Sequence, residues 1–408
     1  MNVKRAMRLN GKKILLGLTG GIACYKAAEL TRALVKEGAS VQVVMTKAAT
    51  EFITPMTMQA LSGREVFVDQ WDARIANHMP HIDLSRDVNA ILIAPCSTNF
   101  IAKLAQGICD DLLSTLCIAR PTKLPLLIAP AMNVEMWQNA ATQRNVLQVI
   151  ADSIQIIGPG AGEQACGETG MGRMLEPTQI LTELIASFQA KTLLGKHVLI
   201  TAGPSFEPID PVRGITNLSS GKMGYAVAQA AWEAGAHVTL VSGPTGLEAP
   251  YGTHRIQVQT AQQMHDVVMA QVAHQKQAVF IAVAAVADWR VSNVSEQKLK
   301  KSAESRLPQL EFEENPDILA SVAALENAPY CVGFAAESER LLEHGANKRI
   351  KKNIPLLVGN IGHQTFGQDD NELVLFDESG YKQLARADKS SLARQLISEI
   401  AQRLSSAK

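Results

Sequence analysis

Residues 158–173 read GPGAGEQACGETGMGR, six glycines in sixteen positions with Cys166 among them. So much glycine predicts a segment too pliant for a helix or a strand, a mobile lid over a site. A structural thiol belongs in a core rather than in such a loop. Cys166 therefore points to chemistry, either proton donation or nucleophilic attack. His81, in Pro80-His81-Ile82-Asp83, is a second candidate. A lone histidine is usually solvated or structural, but one beside an aspartate can be oriented to move a proton. Thr19-Gly20-Gly21-Ile22-Ala23 opens a helix, where backbone N–H groups suit a phosphate. A tight strand-to-helix turn explains those residues equally well, and the G-x-G-x-x-G dinucleotide pattern is absent. Ser97-Thr98-Asn99, after Pro95-Cys96, is either a second phosphate cradle or an N-cap cluster. Asn133, closing Pro130-Ala131-Met132-Asn133, sits where ligands bind at strand ends, although turn chemistry alone could place it there.

The second half carries a different set. Residues 217–224, NLSSGKMG, resemble a Walker A loop only in part. Thr216 stands where that loop needs glycine, and Met223 where it needs Ser or Thr for magnesium. The turn still runs into a helix start, which suits an anion. Arg213 precedes Asn217 by four positions; a surface ion pair is its plainer reading. Asp288 closes an apolar strand, within reach of a metal or a ribose hydroxyl. The basic run Lys298-Leu299-Lys300-Lys301 is ordinarily a solvated face, but its place after a strand end suits a triphosphate. Asn315-Pro316-Asp317-Ile318 reads as a helix cap. Lys348 and Lys352 share one helix face and could reach one phosphate chain.

These residues require elements that bring strand ends together. Residues 12–18 form an apolar strand into the Gly20-Gly21 turn. Residues 22–37 have helical periodicity, and residues 40–45 are the next strand. The second half opens in the same way, with a strand at 196–201, a helix at 222–233 and a strand at 237–241. Further strands are predicted at 88–94, 124–129 and 154–157, then at 278–284, 330–335 and 354–358. A hairpin near 372–381 and a helix at 390–404 close the chain. Alternation of this kind predicts α/β architecture: two doubly wound, Rossmann-like domains with mainly parallel sheets. The helix at 177–190 and polar residues 191–196 mark the junction, giving domains 1–191 and 192–408.

The 408 residues balance 39 Lys and Arg against 39 Asp and Glu. That balance argues against a nucleic-acid binder or a polybasic membrane-surface protein. The longest apolar run, 278–287, is too short to span a bilayer. No signal peptide is read at the basic N-terminus, so a cytoplasmic protein is expected. The six cysteines show no C-x-x-C spacing, which speaks against a zinc or dithiol motif, and they are expected to be reduced.

Taken in order, the Thr19–Ala23 turn, His81-Ile82-Asp83, Pro130–Asn133 with Met136-Trp137, and the segment from Ala165 to Met174 resemble the flavin-dependent cysteine decarboxylases. More specifically they resemble the phosphopantothenoylcysteine decarboxylase domain, and the likeness covers residues 12–190. The resemblance implies FMN at Gly20, Gly21, Ile22, Thr46, Ser97, Thr98 and Asn99. It implies His81 as the base assisting thiol oxidation, Asn133 on the substrate carboxylate, and Cys166 as the proton donor to the reduced product.

Residues 195–404 resemble phosphopantothenate–cysteine ligase. The likeness rests on Asn217 with Ser219–Lys222, Ala287-Asp288-Trp289-Arg290, Lys298, and the segments around Phe334 and Lys348–Lys352. It implies that CTP activates a carboxylate as an acyl-cytidylate, with Mg2+ and lysines offsetting the pyrophosphate charge. The implied CTP residues are Ala282, Val283, Ala284, Asp288, Lys298, Pro316, Asp317, Ile318, Leu319, Phe334, Lys348 and Lys352. Asn217, supported by Arg213, would hold the cytidylate, and Asn217 and Lys298 are the implied catalytic residues. No metal ligands are assigned. The expected activity is ligation of 4′-phosphopantothenate to L-cysteine, followed by decarboxylation to 4′-phosphopantetheine. The expected assembly is a homo-oligomer, with trimer contacts through the first half and dimer contacts through the second. Two other readings remain: a decarboxylase of another cysteine-bearing substrate fused to a nucleotide-dependent ligase, and a flavin-binding regulatory protein without turnover.

Overall fold

The structure is a computed structural model and describes residues 7–72, 74, 79–300, 309–337, 341–361 and 368–406. Two compact units divide it, Met7–Phe188 and Gln189–Lys408.

In the first unit, strands β1 (Lys13–Leu18), β2 (Ser40–Met45), β3 (Ala90–Cys96), β4 (Leu126–Pro130) and β5 (Gln155–Ile156) form one sheet in the order β2-β1-β3-β4-β5. Every pairing in it is parallel. The cause is visible in the side chains. Successive residues of a strand point to opposite faces. Ile14, Leu16 and Leu18 enter one core while Leu15 enters the other. Leu92 and Ala94 are likewise opposed to Ile91 and Ile93. A sheet apolar on both faces needs helices on both. They are α1 (Cys24–Lys36), α2 (Pro55–Ser62), α3 (Pro80–Arg86), α4 (Thr98–Gln106), α5 (Leu112–Ala119), α6 (Val134–Gln138), α7 (Ala140–Ala151) and α8 (Pro177–Ser187). Helix α1 buries Ala27, Leu30, Thr31 and Leu34, a spacing of three and four that puts one stripe against the sheet. The chain leaves it through Gly38 at φ +88°.

The glycine-rich segment departs from expectation. It is a hairpin of β6 (Gly160–Glu163) and β7 (Thr169–Arg173), paired antiparallel. Glycine here permits pairing rather than preventing it. Gly162 and Gly172 adopt φ of +152° and +131°, which side chains disfavour. A Cβ on Gly170 would stand 2.7 Å from Val134 Cγ2, and one on Gly172 2.6 Å from the Met132 carbonyl. The missing side chains let the hairpin lie flat on the segment that carries Asn133.

In the second unit the strands are β8 (His197–Ala202), β9 (Phe206–Pro208), β10 (Gly214–Thr216), β11 (His237–Ser242), β12 (His254–Gln257), β13 (Val279–Ala282), β14 (Trp289–Val291), β15 (Phe312–Glu314), β16 (Tyr330–Glu337), β17 (Leu356–Ile361), β18 (Asp370–Asp377) and β19 (Gly380–Asp388). Eight of them form the main sheet, in the order β12-β11-β8-β13-β16-β17-β18-β19. It is parallel up to β17, and the β18–β19 hairpin adds two antiparallel strands. Helices α9 (Lys222–Glu233), α10 (Ala261–His274), α11 (Ile318–Ala323), α12 (Leu341–Lys352) and α13 (Lys389–Ser406) complete the unit. The same alternation recurs, with Val198 and Ile200 opposed to Leu199. Both units are therefore doubly wound α/β folds, as the sequence predicts. Among the described residues no helix is long and apolar enough to cross a membrane.

All six cysteines are free; Cys24, Cys96, Cys117 and Cys331 are buried, and Cys109 and Cys166 are exposed. Burial pushes the Cys24 thiol up to about 11, and Cys117 and Cys331 up to about 12. These buried groups stay protonated and inert.

Candidate functional site

In the first sheet β1 pairs with β2 on one side and β3 on the other, so the connections reverse direction between β1 and β3. That crevice, outside the carboxyl ends of the strands, is where open α/β sheets bind ligands. A cavity of about 580 Å³ lies there, lined by Gly20, Gly21, Ser97, Thr98, Asn133 and Cys166 among others. Thr19, buried, ties the two turns together: its hydroxyl donates to the Pro95 carbonyl at 2.9 Å and accepts from the Ser97 amide at 2.8 Å.

Two features suit a phosphate. Helix α1 has no side-chain cap at its start; the amides of Cys24, Tyr25 and Lys26 go to the Gly21, Ile22 and Ala23 carbonyls, so the part of this start that an anion can meet is the Gly20-Gly21 turn before them. A Cβ on Gly21 would meet nothing within 4 Å, whereas one on Gly20 would stand 2.7 Å from Ala48 Cβ. Ile22, Tyr25 and Met136 are exposed and line the same cavity, a surface on which a flat aromatic ring system could rest. Two of the expected cofactor residues lie elsewhere: neither Thr46 nor Asn99 lines the cavity. Thr46 caps the 3-10 turn Lys47–Glu51 by accepting from the Ala49 amide. Ser97 lines the cavity and also caps α4, accepting from Phe100 N.

Three side chains converge at the hairpin. Asn133 caps α6 through its oxygen, which accepts from Met136 N at 2.9 Å. Its amide nitrogen donates to Glu168 Oε2 at 3.1 Å. The Cys166 thiol donates to the same oxygen at 3.4 Å. The sequence assigned no role to Glu168. Gln164 pins the hairpin by accepting from Val134 N at 2.9 Å. Below, the buried Lys26 holds Glu176 at 2.8 Å and, with Arg173, keeps that carboxyl below the usual range. His81 stands on α3, partly buried, and does not line this cavity.

Gly172 offers a direct check on the seating of the hairpin. Gly172→Ala combines an unfavourable φ with a clash against Met132, costing about 1–3 kcal/mol. Limited proteolysis should then cut within residues 158–173, where the parent chain resists. Equal resistance would mean that the contact does not hold the hairpin.

The second sheet reverses between β8 and β13, and two cavities open there. One, of about 340 Å³, is lined by Gly203, Asn217, Ser219–Met223, Val283, Asn360, Asn371 and Lys389, among others. The other, of about 540 Å³, is lined by Ala282, Asp288, Pro316, Asp317, Ile318, Leu319, Lys348 and Lys352, among others. Ala284, Val286 and Phe334 line both. Asn217 is fixed at this junction, donating to the Ala285 carbonyl at 2.9 Å. Asp317 caps α11 and accepts from Lys352. Burial alone would raise its carboxyl, but that lysine and the Ala320 amide outweigh burial and hold it below the ordinary range.

Arg213 and Lys298 line neither cavity. Arg213 pairs with the buried Asp210 at 2.5 Å and donates to the Leu299 carbonyl at 2.8 Å. Asp210 in turn accepts from Leu299 N at 3.2 Å, and Arg213 holds its carboxyl well below the usual range. The pair thus clamps the residue next to the exposed Lys298. Lys301 lies outside the described residues. Sequence reasoning missed Lys389, Asn360 and Asn371, which come from the last third of the chain. Among the described residues, no three His, Cys, Asp or Glu side chains gather as a metal set.

Two family models match the chain. One described as "Flavoprotein" covers residues 3–189. One described as "DNA/pantothenate metabolism flavoprotein C-terminal domain" covers residues 193–404. Among curated proteins, the coenzyme A biosynthesis bifunctional protein CoaBC of Vibrio cholerae is 51% identical over 390 residues, 94% of this chain and 96% of its own. The protein of that name from Escherichia coli is 45% identical over 403 residues, 97% and 98% of the two chains. That from Bacillus subtilis is 40% identical over 401 residues, 96% and 97%.

Proposed function

The chain belongs to the bifunctional coenzyme A biosynthesis proteins, and from that premise we propose how its two halves divide the work. It is an enzyme of two consecutive steps, a ligase that joins 4′-phosphopantothenate to L-cysteine and a decarboxylase that takes the product to 4′-phosphopantetheine. Residues 1–191 decarboxylate and residues 192–408 ligate. The observation that carries this division is that each unit has its own crevice at its own strand reversal.

In the first half the Gly20-Gly21 turn before α1, open at Gly21, and the apolar rim fit FMN, held by its phosphate at Gly20, Gly21, Ile22, Ser97 and Thr98. Bound FMN supplies the hydride acceptor and donor that give the departing carboxylate an electron sink. The amide of Asn133, now on Glu168, holds the substrate carboxylate. The Cys166 thiol, poised on the hairpin turn, delivers a proton to carbon. His81 is the base for the substrate thiol. Since it does not line its own chain's cavity, a second copy supplies it, in a trimer formed through this half.

In the second half the larger cavity takes CTP. Lys348 and Lys352 meet its phosphates, Phe334 and residues 316–319 wall the nucleotide, and Lys298 approaches on the loop clamped by Arg213. Mg2+ travels with the phosphates, as it usually does, and no protein ligands are assigned to it. Asn217, at the junction of the two cavities, holds the acyl-cytidylate while cysteine attacks. Dimer contacts run through this half, and the enzyme works in the cytoplasm.

The flavin assignment is tested by releasing the cofactor with heat. FMN is expected, at about one per chain, because one phosphate cradle is built and no dinucleotide fingerprint exists. FAD, NAD, or a protein that stays colourless after soaking in FMN would refute it. Incubation with phosphopantothenate, cysteine and either CTP or ATP, with mass detection, tests the nucleotide. Efficient amide formation with ATP alone would remove CTP from the account.

A further inference from the structure

The cavity beside Asn217 contains a lysine in an adverse position. Lys389 is the first residue of α13 and is only 8% exposed. Burial lowers its ammonium below the ordinary lysine value, and the charge of Lys222 pushes in the same direction; Asp369 and Asp370 offset only part of this. A cation at the start of a helix also faces the positive end of the helix dipole. Burial, a like charge and a helix end all oppose the ammonium, the kind of local cost that functional sites carry. The ammonium donates to the Gln368 carbonyl, and Lys222 binds the Asp369 carboxylate at 2.6 Å. Asp370, the nearby second carboxylate, is engaged by Arg386 at 2.8 Å. Both lysines line the cavity.

The facing wall is built for an anion as well. Helix α9 starts at Gly221 in the left-handed region at φ +75°, with no side chain capping it. Its first amides therefore have no partner within the helix. Asn360 and Asn371, buried on β17 and β18, add polar groups to the lining.

Resting on the reading that this half ligates phosphopantothenate, we propose that Lys389 and Lys222 receive the phosphomonoester end of that substrate, making Lys389 the residue that selects phosphorylated over free pantothenate. A phosphate dianion matches two ammonium groups and takes the place of the Asp369 carboxylate at Lys222. The start of α9 supplies amide donors to the same oxygens. The carboxyl end of the substrate is then left for Asn217, where the nucleotide cavity adjoins.

The experiment compares parent chain, Lys389→Met and Lys389→Arg, with phosphopantothenate and with free pantothenate as acceptor, at saturating CTP and cysteine. Losing a charge-assisted hydrogen bond should raise KM for phosphopantothenate about 10- to 100-fold in Lys389→Met. Saturation should return kcat to within about threefold, and KM for CTP should move by less than about twofold. The rate with free pantothenate, low in the parent, should hardly change. Lys389→Arg should keep most of the discrimination. A rise in KM for CTP, or an equal loss with both acceptors, would overturn the proposal. Should Lys389→Met fail to fold, inorganic phosphate serves as the probe in the parent chain. It should compete with phosphopantothenate and not with CTP; competition with CTP alone would overturn the assignment. A parent chain that forms no amide from phosphopantothenate fails the underlying reading as well, and is told apart by that failure.

Discussion

A Cys166→Ser chain is expected to take carbon dioxide off phosphopantothenoylcysteine once and then stop. Cys166 is exposed on the turn between β6 and β7 and lines the cavity of the first unit. Its thiol already points a proton at a carboxylate, Glu168, at 3.4 Å. Serine keeps the shape and the hydrogen bond. It does not keep the acidity, because an aliphatic hydroxyl is a far weaker acid than a thiol with a reference value of about 8.5. In the proposed role of Cys166, oxidation of the substrate thiol and loss of carbon dioxide would not need this proton, whereas the final return of hydride and proton to carbon would. Phosphopantetheine yield should fall at least about 100-fold, the usual scale for losing a general acid. The unsaturated enethiol should accumulate to about one per chain. Mass detection distinguishes the two products. Normal yields of phosphopantetheine would refute the role of Cys166 as proton donor.

The second large effect is a double dissociation. Asn217→Asp should nearly abolish amide formation. The Asn217 amide nitrogen donates at 2.9 Å to the Ala285 carbonyl, a residue of the cavity wall. Aspartate removes that donor and sets a carboxylate against both the carbonyl and the anionic cytidylate proposed to bind there. The same chain should still decarboxylate supplied phosphopantothenoylcysteine near the parent rate. His81→Asn should do the reverse, since asparagine takes no proton near neutral pH. A loss of about 100-fold or more in one half-reaction, with the other within about threefold, is expected for each. If either substitution removes both activities from a folded, assembled protein, two separate sites are the wrong description.

The strands were legible because buried parallel strands are continuous apolar runs, in β1 and β8 followed closely by glycine. The 158–173 hairpin was not. Its glycines serve close approach to Met132 and Val134, a tertiary fact with no local signature. The same limit governs the sites. Residues grouped within a few positions, such as 316–319 or 219–222, could be read as sets. Arg213 acts through Leu299, 86 positions on, and Lys222 reaches Asp369 across 147. Lys389 opens the last helix, and in the sequence it is one more charge in Asp388-Lys389-Ser390. Only the order of strands in the sheet makes it a neighbour of the α9 turn.

The hydroxyl of Thr19 has an evolutionary corollary. It bridges the ends of β1 and β3 while almost wholly enclosed, at 2% exposure. Valine has the same outline and would fill the space. The Pro95 carbonyl would survive the exchange, since it also accepts from Thr19 N at 3.2 Å. The Ser97 amide would be stranded, at about 1–3 kcal/mol. A β-hydroxyl is therefore favoured at this position, and a residue without one leaves the Ser97 amide to be met by something else in the crevice.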